Sequence, residues 1–527
     1  MKEKFLYKLD RFIVSLLFTI AIFIPLIIGF FENDKVISEV EKRTLSQLPE
    51  VPQTSEEIKA FPQVFEKYYT DHFGLRELFI NYYNLVKYRL ADSPSEDVTI
   101  GKNGWLFLGS LKKGNPAFAD PIGDYRNVNL YSQQELKSFA KYMVTLNDWL
   151  NEKGIKYVFV IAPNKHTIYF EQLPDYISKV NNKSASDQLI EYIKAYTDIR
   201  IVDLRGKLMK AKKASQLYYK TDTHWNHFGA NIAQYEIMLE IEKLFPNQIQ
   251  AEMQELITVE SMDRCGDLAN FIGLNNCKEQ EAEPIFRTAC TPSLQPLSDL
   301  KLSVMTCEGQ NLNAVIFRDS FFTHLAPYFS RKFKQSTYLW EHLNYTSLMR
   351  SLASDKPDII IEEWVERTLP HLPKGPMADY LLKYKYDESN SLVFSIDAAM
   401  PYYYESLNLV DDKNGNIRFR ATTVDPMLIF PSVPLKSNND YVAHINMTSS
   451  VQSILQVFYS DISRFGYPFS EIDSLKFPVQ EGDNDIYIPL VHQNIGKQLR
   501  LDPIAGLGEV TIKSFNIKRV EYYNFNK

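Results

Sequence analysis

The chain of 527 residues has no cluster of lysine and arginine, and its formal net charge is only −7. A nucleic-acid binder needs a basic face to meet phosphates, so nucleic acid is not an expected partner. There is no His-Glu-x-x-His sequence and no Cys-x-x-Cys pair, which removes the usual signatures of catalytic and structural zinc. No internal repeat or low-complexity tract is present, so the length implies two or three separately folded units rather than an array. Long apolar runs are absent too, with one exception at the N-terminus.

That exception, "FIVSLLFTIAIFIPLIIGFF" from Phe12 to Phe31, is an uncharged stretch of the length a helix needs to cross about 30 Å of hydrocarbon. Lys2, Lys4, Lys8 and Arg11 precede it, and Glu32 and Asp34 follow, a bias that keeps residues 1–11 in the cytoplasm and puts the rest outside. A cleavable signal peptide is the rival reading. It would end in a small-x-small site, whereas this run ends in Gly-Phe-Phe-Glu-Asn, so an uncleaved anchor over residues 12–31 is expected. The four cysteines, Cys265, Cys277, Cys290 and Cys307, lie in one short segment. Their even number in an exported chain points to two disulfides stapling an insertion, with pairing left open, and a zinc site remains the competing reading.

Beyond the anchor, residues 32–97 read as a polar stalk followed by aromatic-rich helical text. From Val98 the pattern alternates. "VTIGKNGWLFLG" reads as a hairpin, and Ser132 with Glu135 three residues on marks a helix start. Leu136, Phe139, Met143, Leu146 and Leu150 share one face of that helix, and Gly154 closes it. "KYVFVIAP" is apolar without alternation, as in a strand covered on both faces, and "NAVIF" and "PDIII" repeat the type. The expected fold class is α/β: a parallel sheet flanked by helices over residues 98–385. Over residues 386–527 short β-rich segments separated by Asn, Asp, Gly and Pro predict an all-β sandwich or jelly roll.

Two loops carry groups suited to proton transfer. Ser320 follows the predicted strand "NAVIF", after Arg318 and Asp319, where strands of an α/β sheet deliver reactive groups and a helix start offers free N–H groups to an oxyanion. Taken alone, such a serine is usually a helix cap. The second loop, "TDTHWNHFGA", holds Asp222 and His224 ahead of a helix that Asn226 can cap. A serine hydroxyl needs an imidazole base, and the imidazole needs a carboxylate to fix its tautomer, which Ser320, His224 and Asp222 would provide. A metal set of Asp222, His224 and His227 is the alternative, and a turn-forming aspartate with a packed loop histidine is a third.

"TDTHWNHFGA" followed about a hundred positions later by "IFRDSFFTHLAPYFS" resembles the SGNH-hydrolase-like domain of the alginate O-acetyltransferase AlgX/AlgJ group and its DHHW relatives. The phrases "KRTLSQLP", "DHFGLREL", "IGKNGWLFLG", "APNKHTIY", "GDLANFIGL" and "KPDIIIEEWVER" fall in the family's order, across about residues 35 to 370. The resemblance implies Asp222, His224 and Ser320 as a catalytic triad, with no cofactor and no metal. It implies an acetyl-serine intermediate, a polysaccharide acceptor, and a membrane-bound O-acyltransferase as acetyl donor. Trp225, Tyr219, Asn164, Lys165 and Arg318 are the expected substrate contacts, Asn164 doubling as a candidate oxyanion donor. The usual SGNH glycine and asparagine blocks are not recognisable, and "RDSF" departs from the alginate proteins, so acceptor identity does not follow. The implied setting is the bacterial inner membrane, single-pass, with the bulk of the chain periplasmic. An acetylesterase with the same triad and a non-catalytic polysaccharide-binding assembly protein are the alternative functions. The rings of "PYYYESL" are candidates for sugar stacking in the β region.

Overall fold

Ser132 accepts the Glu135 N–H at 3.2 Å while the Glu135 carboxylate accepts the Ser132 N–H at 2.8 Å, and this reciprocal cap opens the helix Gln133–Glu152. The helix buries Leu136, Phe139, Met143, Leu146 and Leu150 and ends before Gly154, whose φ of +76° suits glycine. The computed structural model describes residues 2–522 apart from 32–34, 39–42, 111–119, 263, 275–276, 288–289, 295–300, 370–374, 397–402, 411–415, 431–432, 437–438, 462–468, 472–473 and 491–494. Glu32 and Asp34 of the expected charge bias, and Pro401 and Tyr402 of "PYYYESL", lie outside the described residues.

The apolar run "KYVFVIA" forms the strand Lys156–Ala162, with all but its first residue buried, because it sits inside a seven-stranded sheet with helices on both faces. The strand order is Ile201–Asp203, Lys156–Ala162, Ile359–Val365, Asn313–Phe317, Gln335–Leu339, Leu302–Thr306 and Ser293–Leu294. The first five run parallel, Leu302–Thr306 runs against them and Ser293–Leu294 pairs antiparallel with it, so the sheet is mixed. One face packs on the helix His227–Leu244 through Ala230, Ala233 and Ile237. The other packs on Gln133–Glu152 and Ala185–Tyr196. The hairpin Val98–Ile100 with Leu106–Leu108 meets the loop before the His227–Leu244 helix, where Leu106 N–H donates to the Lys220 carbonyl at 2.8 Å.

The C-terminal region is all-β. Two antiparallel sheets, six-stranded and five-stranded, share one apolar core that includes Phe419, Phe430, Ile445, Val457, Leu501 and Phe515. The division expected at residue 386 falls inside the helix Pro376–Glu388. Met377 and Leu381 of that helix join the core of the mixed sheet, while Tyr386 packs with Val442 and Tyr487 of the β region. Lys141 of the Gln133–Glu152 helix also pairs with Asp440 across the same junction.

The N-terminal helix Lys2–Phe31 contains an 18-residue stretch, Phe12–Gly29, of mean hydropathy 2.7 that is long and apolar enough to cross a membrane. Cys265 pairs with Cys277, and Cys290 with Cys307. Both bridges suit an oxidising compartment.

Candidate active site

At the carboxyl edge of the sheet the strand Asn313–Phe317 gives way to Arg318, whose N–H still donates to the Leu339 carbonyl at 2.9 Å. Asp319 then turns the chain out of the sheet and is fastened three ways. Its N–H donates to Glu363 Oε2 at 3.0 Å, its Oδ2 accepts the Val365 N–H at 3.0 Å, and its Oδ1 accepts the Phe321 N–H at 2.8 Å. The cap of the short 3-10 turn Ser320–His324 is therefore Asp319, and Ser320 is its first residue with its hydroxyl released for other use. Among the described residues no acceptor meets the Ser320 N–H. Burial, reinforced by the neighbouring Asp319 charge, lifts the Glu363 carboxyl well above the usual carboxylate range.

The second loop is closed on itself before it meets the first. Tyr218 and Trp225 pair across it, Tyr219 N–H donates to the His224 carbonyl at 3.2 Å, and Asn226 N–H donates to the Leu217 carbonyl at 3.0 Å. Asn226 caps the following helix as the sequence predicts, its Oδ1 accepting from Phe228 and Gly229 at 3.1 and 3.2 Å. From below, the buried Lys165 ammonium donates to the carbonyls of Lys220 and Asp222, each at 2.9 Å. Trp225 Nε1 donates to the Phe321 carbonyl at 3.0 Å, tying this loop directly to the serine turn.

The two loops meet at a continuous hydrogen-bonded chain. His224 Nε2 lies 2.7 Å from Ser320 Oγ, and His224 Nδ1 lies 2.7 Å from Asp222 Oδ1. A carboxylate only accepts, so the proton sits on Nδ1 and leaves Nε2 to receive the serine proton. Burial alone would depress the imidazole, but the Asp222 hydrogen bond and charge outweigh it and hold His224 above its ordinary value. Burial likewise pushes Asp222 upward, yet the His224 hydrogen bond and charge bring its carboxyl well below the usual range.

One acidic group that sequence reasoning missed joins them. Asp267 opens the short helix Asp267–Phe271, and its Oδ2 stands 3.9 Å from His224 Nδ1. Its Oδ1 accepts the Thr223 N–H at 2.7 Å, and its own N–H donates to Asp222 Oδ2 at 3.2 Å. Gly266 makes that approach possible, since a Cβ there would stand 2.4 Å from Asp222 Cβ and 2.5 Å from the Thr221 carbonyl. The Cys265–Cys277 bridge anchors the segment from both sides. Burial, with the Asp222 charge next in size, raises the Asp267 carboxyl.

Asp267→Asn keeps the acceptor oxygen but removes a charge that lifts His224. The base then stays neutral to lower pH, so the acidic limb of the rate profile is expected to move down. A limb that stays put or moves up would refute this placement of Asp267.

Asp222, His224 and Asp267 also offer ligand atoms within 4.8 Å of one another, a spacing that suits a metal ion as well as a buttressed imidazole. His224 has both ring nitrogens engaged, by Asp222 and Ser320, which favours the proton-relay reading. His227, the other candidate ligand, does not face this group. Its ring packs against His324, 5.1 Å between centroids.

The expected substrate contacts fare differently. Trp225 is fully buried and Tyr219 nearly so, its hydroxyl bonded to Glu281. Lys165 is 2% exposed, and burial brings its ammonium down to about 7. Asn164 is buried with its Nδ2 given to Asp124 at 2.7 Å and its Oδ1 taken by Arg367 at 2.9 Å. These four shape the site from behind because the loop is undercut by Lys165 and clasped by Trp225. Arg318 remains at the rim, its guanidinium over the Trp340 ring at 4.1 Å. Arg367, unremarked in the sequence, lies buried over the Phe321 ring at 5.6 Å.

Residues 98–300 match the SGNH hydrolase-like domain of the acetyltransferase AlgX. The match holds Asp222, His224 and Asp267 and ends before Ser320. The chain is 27% identical over 214 residues to the probable alginate O-acetylase AlgJ of Pseudomonas aeruginosa, covering 40% of this chain and 50% of that protein. With its Azotobacter vinelandii counterpart it shares 25% over 223 residues, 42% of this chain and 53% of the relative. The chain thus spans about half the length of these curated relatives. A solved O-acetyltransferase domain of Pseudomonas putida AlgJ aligns with 51% of this chain and 91% of its own length, at 18% identity and a TM-score of 0.33. The fold is of the SGNH-like AlgX type, with mixed sheets and a C-terminal all-β region.

Proposed function

We propose that this chain is an extracytoplasmic polysaccharide O-acetyltransferase working through Ser320, His224 and Asp222. The single observation that carries the reading is the pair of 2.7 Å contacts linking Asp222, His224 and Ser320, in a chain whose AlgX-like domain supplies the first two. In the first half-reaction His224 Nε2 takes the Ser320 proton as Oγ bonds to the acetyl carbon. The donor's leaving oxygen then departs with that proton, leaving acetyl-serine. In the second, a sugar hydroxyl gives its proton to Nε2 and attacks the same carbon. The bond to Ser320 breaks and Oγ recovers the proton. The Ser320 N–H is the proposed oxyanion donor, and the buried Arg367 adds positive potential beside it.

Acetyl-coenzyme A is not expected outside the cytoplasm, so the donor is a membrane-bound O-acyltransferase passing acetyl groups outward. The Phe12–Phe31 helix, an uncleaved inner-membrane anchor in this reading, keeps the periplasmic domain beside it. We assign residues 98–385 to catalysis and the sandwich or jelly roll of residues 386–527 to holding the polymer. Exposed Tyr403 and Tyr404 fit that second role.

The test is how the acetyl group partitions. Full-length protein in detergent, given a chromogenic acetyl ester, is expected to transfer acetyl to added oligosaccharide. Release to water that is unaffected by oligosaccharide would make it an esterase. No turnover and no acyl-enzyme would leave a polysaccharide-binding assembly protein.

A further inference from the structure

Trp340 is the one tryptophan set out in solvent. Trp105, Trp149 and Trp225 are buried, Trp364 is half-buried under the stacked ring of His342, but Trp340 is 46% exposed. Its place is specific. The strand Gln335–Leu339 runs parallel to the serine strand with Phe317 level with Leu339, so Trp340 follows its strand where Arg318 follows the other. Ser320 comes two residues after Arg318, a span of at most about 7 Å along the chain. Ligands of open α/β sheets bind in the crevice beyond these carboxyl ends.

Arg318 is fixed against this ring. Its Cζ lies 4.1 Å from the indole centroid, and its Nη1 donates to the Asp319 carbonyl and to Thr323 Oγ1, both at 3.1 Å. Among the described residues no acceptor meets its Nε or Nη2. A half-exposed indole, one face of it held by the guanidinium, and N–H donors with no acceptor among the described residues thus stand together on the rim of the serine turn. That pairing suits a pyranose, whose ring C–H groups stack on an aromatic face while its oxygens accept hydrogen bonds.

We propose that Trp340 and Arg318 form the platform for a pyranoside unit of the acceptor, next to the unit whose hydroxyl attacks acetyl-Ser320. The platform rests on the acetyl-serine reading above but acts only in the second half-reaction. It selects acceptor and leaves acylation untouched.

The test uses full-length protein in detergent, a chromogenic acetyl ester as donor, and cellohexaose or a hexamannuronate as acceptor. Trp340→Ala is expected to keep the acylation burst and raise the acceptor KM by about tenfold with kcat little changed, while Trp340→Phe stays within about threefold of the native protein. An acceptor KM within about twofold of native in Trp340→Ala overturns the platform, as does a burst that falls in step with transfer. Preference for the hexamannuronate that disappears in Arg318→Met marks the guanidinium as a carboxylate reader. Equal use of both acceptors marks it as a hydroxyl donor, and either result fits the platform. If the native protein gives no burst, the acetyl-serine reading fails and titration calorimetry with the same hexasaccharides decides the platform separately. Binding that Trp340→Ala abolishes upholds it. Binding that survives Trp340→Ala, or no binding by the native protein, overturns it.

Discussion

Ser320→Ala is expected to abolish the acetyl adduct and to lower turnover of a chromogenic acetyl ester by about 10⁴- to 10⁶-fold, the range seen when a triad nucleophile is removed. The loss is large because the hydroxyl of Ser320 is the group that His224 Nε2 meets among the described residues, at 2.7 Å. Stability should change little, since Asp319, not Ser320, caps the turn. The check is intact-mass measurement after the ester is added, with peptide mapping to residue 320. An adduct that persists in the variant would move the nucleophile elsewhere and take the proposed function with it.

Asp222→Asn comes second, with an expected loss of about 10⁴-fold in kcat/KM. The amide would present an N–H to Nδ1, turn the imidazole to the wrong tautomer and leave Nε2 carrying a proton where it must accept one. The pH profile gives an independent readout. Burial is the largest influence on His224 and acts downward, opposed by the Asp222 hydrogen bond and charge. Without the carboxylate burial prevails, the imidazole's affinity for protons falls, and the acidic limb shifts to lower pH. Asp267, 3.9 Å from Nδ1, can support the ring in part. The double variant Asp222→Asn/Asp267→Asn should therefore lose more than Asp222→Asn alone. Activity of Asp222→Asn within about tenfold of native would deny Asp222 its role.

Much of this geometry was readable beforehand because it depends on local chemistry. The Ser132 cap, the doubly covered run at 156–162 and the Asn226 cap follow from residue type and spacing. Asp222, His224 and Ser320 were legible because each sits in a phrase with few other duties. Asp267 was not, although "GDLANFIGL" contains it. An aspartate after glycine reads as a turn former, and only the insertion's return between Cys265 and Cys277 brings it to the imidazole. The four buried residues among the expected contacts share one trait. Trp225, Tyr219, Lys165 and Asn164 are polar or aromatic loop residues, a pattern that suggests a ligand. Here the loop lies over a buried ammonium and each group meets the protein's own carbonyls, carboxylates or guanidinium. The helix across residue 386 shows a related effect, since its residues pack into two cores.

The Trp225 to Phe321 clasp joins partners 96 residues apart, the same separation that divides base from nucleophile. Bringing together partners that distant in the chain carries a larger loop-closure entropy than forming the local helices and turns. On the proposed triad, a molecule in which the two loops have not met would carry an inert serine and gain reactivity only once His224 reaches it. Recovery of ester cleavage during refolding would then time the meeting of those loops, a clock built from one indole N–H.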